Sequence, residues 1–382
     1  MKRKNIFSTL LIGAVACFQV ACSDWIEVEH QDIDKVLEHS DRAMAEANEK
    51  YHENLRAYKQ TDHSLTFGWF AAWAADGPGS TFLSQLPDST DLVALWGESL
   101  WAHPTKAMLE DLKYAQEVKG LRVVTACLLF DIGKGLTPPV PDDYGEKHPD
   151  IPQSRHWETW NKSYWGWEDG NEEAILKSIE TYANALCDTI FKFGYDGFDL
   201  DAEPSYAQPF PTNKEMWRPA SRMYHFFETM AKRIGPMAET EEGRKKLLIV
   251  DGEPDWFPAK YGTYMNYYIF QTYGTSSNAR LDNKLQSLIN HFSGVVSAEE
   301  VANKMIVTEE FEKYAGTGGV RFYTPDGRVV PSYLGFAEWQ PFGGKYRKGG
   351  IGCYHMQRDF ANTTRVYDYL RKGIQIMNPA VK

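Results

Sequence analysis

Hydrophobic positions along this chain change rhythm repeatedly, and the changes mark out its elements. From Asp32 to Gln60 the residues Ile33, Val36, Leu37, Met44, Tyr51, Leu55 and Tyr58 recur near helical spacing among many charges, which predicts one or two amphipathic helices. Beyond them, short apolar, β-prone runs alternate with helical patterns. The runs are Leu65–Trp73, Leu92–Leu95, Arg122–Leu129, Tyr195–Asp201, Leu247–Asp251, Tyr267–Tyr273, Met305–Glu309 and Gly350–His355. Helical patterns fall at Thr105–Val118, Glu172–Phe193, Lys214–Ile234, Ala279–Phe292, Tyr333–Trp339 and Thr363–Ile376, and the link between the fifth and sixth runs is short and poorly patterned for a helix. Strands buried on both faces and joined by mostly helical crossovers predict an α/β fold, a parallel (β/α)₈ barrel of the TIM-barrel class with an N-terminal helical segment. Neither an internal repeat nor a low-complexity linker interrupts it.

The fourth run breaks the apolar pattern. Residues 196 to 203 read Asp-Gly-Phe-Asp-Leu-Asp-Ala-Glu. A strand sends successive side chains to opposite faces, so Asp199, Asp201 and Glu203 share one face, while Phe198, Leu200 and Ala202 share the other. Carboxylates so placed lie roughly 6 to 7 Å apart at Cα, close enough to shift each other's pKa values. One acid can then hold a proton while another stays ionised, the condition for acid-catalysed bond cleavage. In a barrel the site forms at the C-terminal ends of the strands, where Glu203 falls.

The octapeptide resembles the full DGxDxDxE motif of glycoside hydrolase family 18, and the alternation of strands and helices extends the resemblance over roughly residues 64 to 376. That family comprises chitinases and endo-β-N-acetylglucosaminidases on a (β/α)₈ barrel. The resemblance implies that Glu203 is the general acid and later the base. Asp201 would orient the substrate's own 2-acetamido group, whose carbonyl oxygen attacks the anomeric carbon, and Asp199 would hold Asp201. Asp196 and Gly197 shape the strand entry. Tyr273, in Gln271-Thr272-Tyr273-Gly274, matches the family's tyrosine that bonds the acetamido oxygen, with Gln271 on the same face. Chitinases commonly carry Asp after that Tyr. Gly274 therefore points to the endo-β-N-acetylglucosaminidase branch, acting on N-glycans of glycoproteins. A chitinase and a non-catalytic glycan-binding barrel remain the alternatives, although binding-only members have usually lost the acid that Glu203 supplies here.

Other residues at the expected catalytic face are candidates for sugar contacts. Glu253 and Trp256 follow the fifth run, Glu309 and Glu310 the seventh, and Tyr354 and His355 close the eighth. Asp131 to Gly170 is a long segment carrying Pro138, Pro139, Pro141 and Pro152, then Trp157, Trp160, Tyr164, Trp165 and Trp167. Loops of that length are usually functional, and aromatic faces stack on sugar rings. Trp165 and Trp167 are accordingly candidates for glycan contact, with packing beneath the loop as the other role open to such rings.

Composition bounds the rest. Hydrophobic residues make up 43% and aromatic ones 14%, enough for one large core over the roughly 320 residues beyond the N-terminal segment. Lys2, Arg3 and Lys4 precede an apolar run, Ile6 to Ala16, too short for a permanent span, so residues 1–21 read as a secretory signal. Gln19-Val20-Ala21-Cys22 resembles a bacterial lipoprotein cleavage site with Cys22 lipidated. The following Ser23-Asp24-Trp25-Ile26-Glu27 resembles the export signal of Bacteroides-type surface lipoproteins. The expected divisions are a signal at 1–21, an acidic linker and helical segment at 22–63, and the barrel at 64–382. Loss of the signal moves the formal net charge from -11 to -14, which excludes nucleic acid as a natural partner. Cys127, Cys187 and Cys353 lack CxxC spacing and read as buried thiols. No metal-ligand spacing or phosphate loop is present, so the expectation is a monomer without cofactor, held at the outer-membrane surface by its lipid.

Overall fold

The computed structural model describes residues 33–205 and 215–379; the expected signal, Cys22 and Lys214 lie outside the described residues. The chain divides into two compact units, residues 1–54 and 55–382. Where described, the first unit is part of one continuous helix, Ile33–Lys59, with Met44 and Tyr51 exposed. In the second unit, eight parallel strands close a barrel in sequential order. They are Leu65–Phe70, Leu92–Leu95, Arg122–Leu128, Gly197–Ala202, Leu247–Gly252, Tyr267–Phe270, Met305–Glu310 and Gly350–Tyr354. Closure comes from the first strand pairing with the last, Leu65 opposite Gly350.

Alternation in the strands builds two apolar layers. Inward residues, among them Phe67, Leu92, Ala94, Val124, Ala126, Leu247, Ile249, Ile269 and Ile306, fill the barrel as a packed plug. Outward residues such as Phe198, Leu200, Ala202, Leu248 and Val250 join the larger layer beneath the helices. The helix Glu172–Phe193 shows how the crossovers are specified. Asn171 caps its first turn by accepting from the Ala174 N–H, Gly194 ends it in the left-handed conformation, and Ile175, Ile179, Tyr182, Leu186 and Ile190 form its buried stripe. Burying such a stripe is what turns a helical pattern into a fixed crossover. The chain then enters the fourth strand.

That entry is tightly held. Asp196 Oδ2 accepts from the Val123 N–H at 2.7 Å and from Gln116 Nε2 at 2.8 Å, and the Leu247 N–H donates to the Asp196 carbonyl at 2.7 Å. Gly197 sits at φ +150°, where an added Cβ would stand 2.1 Å from the Leu247 carbonyl oxygen. Only glycine lets the fourth and fifth strands approach there.

Several elements differ from the sequence expectation. The first strand stops at Phe70, after which Trp73 turns into the outer core and donates to Asp111 Oδ2 at 3.0 Å. The sixth ends at Phe270, and Gln271–Tyr273 leaves the ladder, Thr272 Oγ1 donating to the Thr308 carbonyl at 3.0 Å. The helix after the fourth strand begins at Ala220, behind Pro219, a position proline suits because it lacks the N–H. The last helix begins at Asp368, because the preceding turn is tied back to Asp359, whose Oδ2 accepts from the Leu370 N–H at 2.9 Å. Between the seventh and eighth strands a small antiparallel hairpin, Arg321–Tyr323 with Val329–Pro331, had no counterpart in the pattern.

Gly197→Ala is expected to destabilise the protein by about 1–3 kcal/mol, an overpacking penalty that chemical denaturation would measure.

Candidate active site

The fourth strand carries Asp199 and Asp201 inward on top of the apolar plug, and both are fully buried. Asp251, at the inward end of the fifth strand, stands in register with Asp201 and is buried as completely. Three carboxyls therefore meet where water is excluded. Donors reach them from two sides: Trp69 Nε1 donates to Asp199 Oδ2 at 3.0 Å, and Gln271 Nε2 donates to Asp251 Oδ1 at 3.1 Å and to Asp201 Oδ1 at 3.3 Å. Burial pushes all three acids up. Asp199 reaches about 7, while Asp201 and Asp251 go well above the usual carboxylate range, raised further by the neighbouring negative charges.

Glu203 comes next along the chain, past the last strand residue, and is half-buried. Partial burial raises its pKa, Gln271 opposes that by hydrogen-bonding it, and the Glu253 charge adds to the rise. Such a group keeps its proton to a higher pH than a free glutamate and faces an open cleft of about 590 Å³. Burial, then the charges of Asp251, Asp201 and Glu203, hold the Tyr273 phenol firmly protonated, so it can donate into the same space.

Aromatic rings line the mouth. Tyr354 meets Trp69 edge to face at 6.2 Å, Trp96 edge to face at 5.8 Å and Tyr273 at a tilt at 6.4 Å. These rings offer apolar faces to a sugar beside an acid-rich floor. Glu253 lies on the rim, its carboxylate accepting from Ser205 Oγ at 2.8 Å, and Glu310 pairs at 2.8 Å with Lys313, three residues on, both lining the cleft.

The cleft thus gathers Asp201, Glu203, Tyr273, Gln271, Glu253, Glu310 and Tyr354 around a floor that contains Asp199. Four candidates lie outside the lining of this cleft and make their contacts within the protein. Trp165 donates to Thr137 Oγ1 at 2.8 Å and packs against Tyr182, because the loop folds its own rings inward. Trp167 is 5% exposed beneath Arg222, whose guanidinium stands 5.1 Å from its ring. Trp256 packs edge to face on Trp217 at 5.0 Å, within the aromatic layer around Phe257. Glu309 is fully buried, accepting from Ser332 Oγ and from the Gly274 N–H at 3.1 Å. That last bond fixes the turn after Tyr273, where Gly274 takes φ +70°. His355 flanks Tyr354 at 4.2 Å, outside the cleft lining, and exposed Trp157 and Tyr164 lie on the helix His156–Trp165.

Asp251, Trp69 and Trp96 were not singled out from the sequence. The signal for two of them was present, since Phe67 and Trp69 alternate inward as do Leu247, Ile249 and Asp251. Among the described residues no group of three or more His, Cys, Asp or Glu side chains is arranged to hold a metal.

Comparison with known proteins agrees with this architecture. The chain is 23% identical to endo-beta-N-acetylglucosaminidase F2 of Elizabethkingia meningoseptica, over 99% of this chain and all of that one. Among solved structures it resembles BT1044, in a selenomethionine form with one glutamate-to-glutamine substitution, at 28% identity and a TM-score of 0.69, covering 87% of this chain and 93% of that one. A family 18 chitinase from Pseudoalteromonas aurantia matches at 14% identity and a TM-score of 0.48, covering 82% of this chain and all of that one. The model of "Glycoside hydrolase family 18, BT1044-like" matches residues 27–376, nearly the whole chain carrying the barrel and its acids, and the protein belongs to that family of glycoside hydrolases.

Proposed function

We propose that the protein is an endo-β-N-acetylglucosaminidase that hydrolyses the β-1,4 bond between the two core N-acetylglucosamines of N-glycans. The observation that carries this reading is the placement of Glu203, half-buried and raised in pKa, beside buried Asp201 beneath Gln271 and Tyr273. The full-length similarity to endoglycosidase F2 supports it, as does Gly274 where a chitinase commonly carries an acid.

The chemistry follows from the placement. Protonated Glu203 gives its proton to the glycosidic oxygen as the bond to the anomeric carbon breaks. The acetamido carbonyl oxygen of the same sugar forms the new bond to that carbon, producing an oxazolinium ion with no protein nucleophile, an exception to the usual two-carboxylate scheme. Asp201 faces the acetamide N–H, where positive charge grows, and Tyr273 steadies the acetamide oxygen. Water then attacks the anomeric carbon, losing its proton to Glu203, as the bond from that carbon to the acetamido oxygen breaks and the acetamide re-forms, and the configuration is retained.

The same proposal places the enzyme at the outer-membrane surface through lipid on Cys22, on the strength of the Gln19-Val20-Ala21-Cys22 segment and the acidic residues after it.

Digestion of a high-mannose glycoprotein should leave one N-acetylglucosamine on asparagine, as read by mass spectrometry; cleavage of chitin oligomers alone would point to a chitinase instead. Glu203→Gln should lose turnover by about 10²–10⁴-fold while still binding glycan. Hydrolysis should fall as pH rises through the raised Glu203 pKa, so the alkaline limb of the rate profile should lie above the range of a free glutamate. Trp69→Phe removes a bond that holds the Asp199 pKa down, so its acid limb should move to higher pH with a loss of about tenfold in turnover. Cys22→Ser should release the protein from membranes, seen by fractionation.

A further inference from the structure

Asp251 is the buried acid for which the reaction above has no task. Its surroundings are unusual for a structural residue. It lies 0% exposed at the inward end of the fifth strand, opposite Asp201 across the strand ladder. The Gln271 amide donates to Asp251 Oδ1 and to Asp201 Oδ1. Trp69 satisfies Asp199 Oδ2. Two buried oxygens are then left over, Asp199 Oδ1 and Asp251 Oδ2, and among the described residues neither has a hydrogen-bond partner. Two acceptors left facing each other out of water repel, whereas one proton on either satisfies both.

The position of Asp251 decides which carboxyl holds that proton. Asp251 Oδ1 accepts from Gln271, which leaves Oδ2 to carry the proton, and Asp251 is the member whose side chain favours the charged forms of both Asp199 and Asp201. We infer that Asp251 is a positioning residue, its neutral carboxyl donating a hydrogen bond to Asp199 while Gln271 ties Asp251 to Asp201, so that the three are locked into one arrangement facing the acetamide. The groups around it are Asp199, Asp201 and Glu203 from the fourth strand and its end, and Gln271 and Tyr273 from the sixth. The positive charge acting on the cluster is that of Lys134, which bears on Asp201. Burial and the negative charges of Asp199 and Asp201 favour the neutral form of Asp251, while its bonds favour ionised Asp199 and Asp201. A neutral donor next to two acids lets the charge that catalysis needs reside on Asp201.

The inference rests on the hydrolytic reading above, and two readouts separate their fates. Asp251→Asn keeps a neutral side chain able to donate to Asp199 and accept from Gln271. It should retain turnover within about threefold and the acid limb of the parent. Asp251→Ala should lose about 10- to 100-fold in kcat with little change in KM, and its acid limb should move to higher pH, because Asp199 and Asp201 lose a bond that favours their charge. Asp251→Val fills the space if the alanine variant does not fold, with the same expectation. If Asn is as damaged as Ala, or if Ala and Val keep the parent profile, Asp251 is not a neutral donor and the inference falls. Infrared spectra read the proton without substrate. At neutral pH the parent should show a protonated-carboxyl stretching band that Asp251→Asn loses. A parent inactive on glycoproteins that shows this loss would overturn the proposed function and leave the Asp251 proton standing, and a band unchanged in the variant would overturn the inference alone.

Discussion

Three carboxyls buried on an apolar plug are the constraint around which this molecule is organised. Charged groups removed from water are costly unless paired, and among the described residues no Lys or Arg is buried beside Asp199, Asp201 and Asp251 to pair them. The cluster is instead kept by neutral donors, the Trp69 indole and the Gln271 amide, and by holding on to protons. A barrel suits this task. Its inner residues come from many strands at one level, so a tryptophan from the first strand and a glutamine beyond the sixth can reach acids on the fourth and fifth.

The same constraint explains why backbone details far from solvent matter to the cleft. Gly197 sets how closely the fourth and fifth strands approach, and that approach sets the spacing of Asp201 and Asp251. Glu309 is buried and holds the turn at Gly274, and so the direction of Tyr273. Supports of this kind stand where a substrate contact would be looked for, at the ends of the right strands. What separates Glu309 from the lining acids Glu253 and Glu310 is its complete burial.

Much of the fold was legible because burial on both faces leaves a plain trace, a short run of apolar residues bounded by turns. All eight barrel strands lie where such runs lie, and the helix Glu172–Phe193 follows its cap and its closing glycine. Where the pattern misled, other residues had intervened. Trp73 and Tyr273 continue apolar runs but leave the ladder, drawn off by partners remote in sequence. The tryptophans of the long loop were ambiguous for a similar reason, since a ring that stacks on sugar and a ring that fills a loop look alike in sequence, and Trp165 and Trp167 do the second.

The sequence by itself determined the acids and their common face, because the period of a strand is strictly two and Asp199, Asp201 and Glu203 obey it. It determined the barrel too, through the order of its runs. Only the tertiary structure decided that Asp251, Gln271 and Trp69 complete the cluster, and that Glu309 and Trp256 stay out of the cleft. Those outcomes depend on strand register and barrel closure, which bring together residues as far apart in sequence as Trp69 and Asp199, and no local pattern along the chain records such contacts.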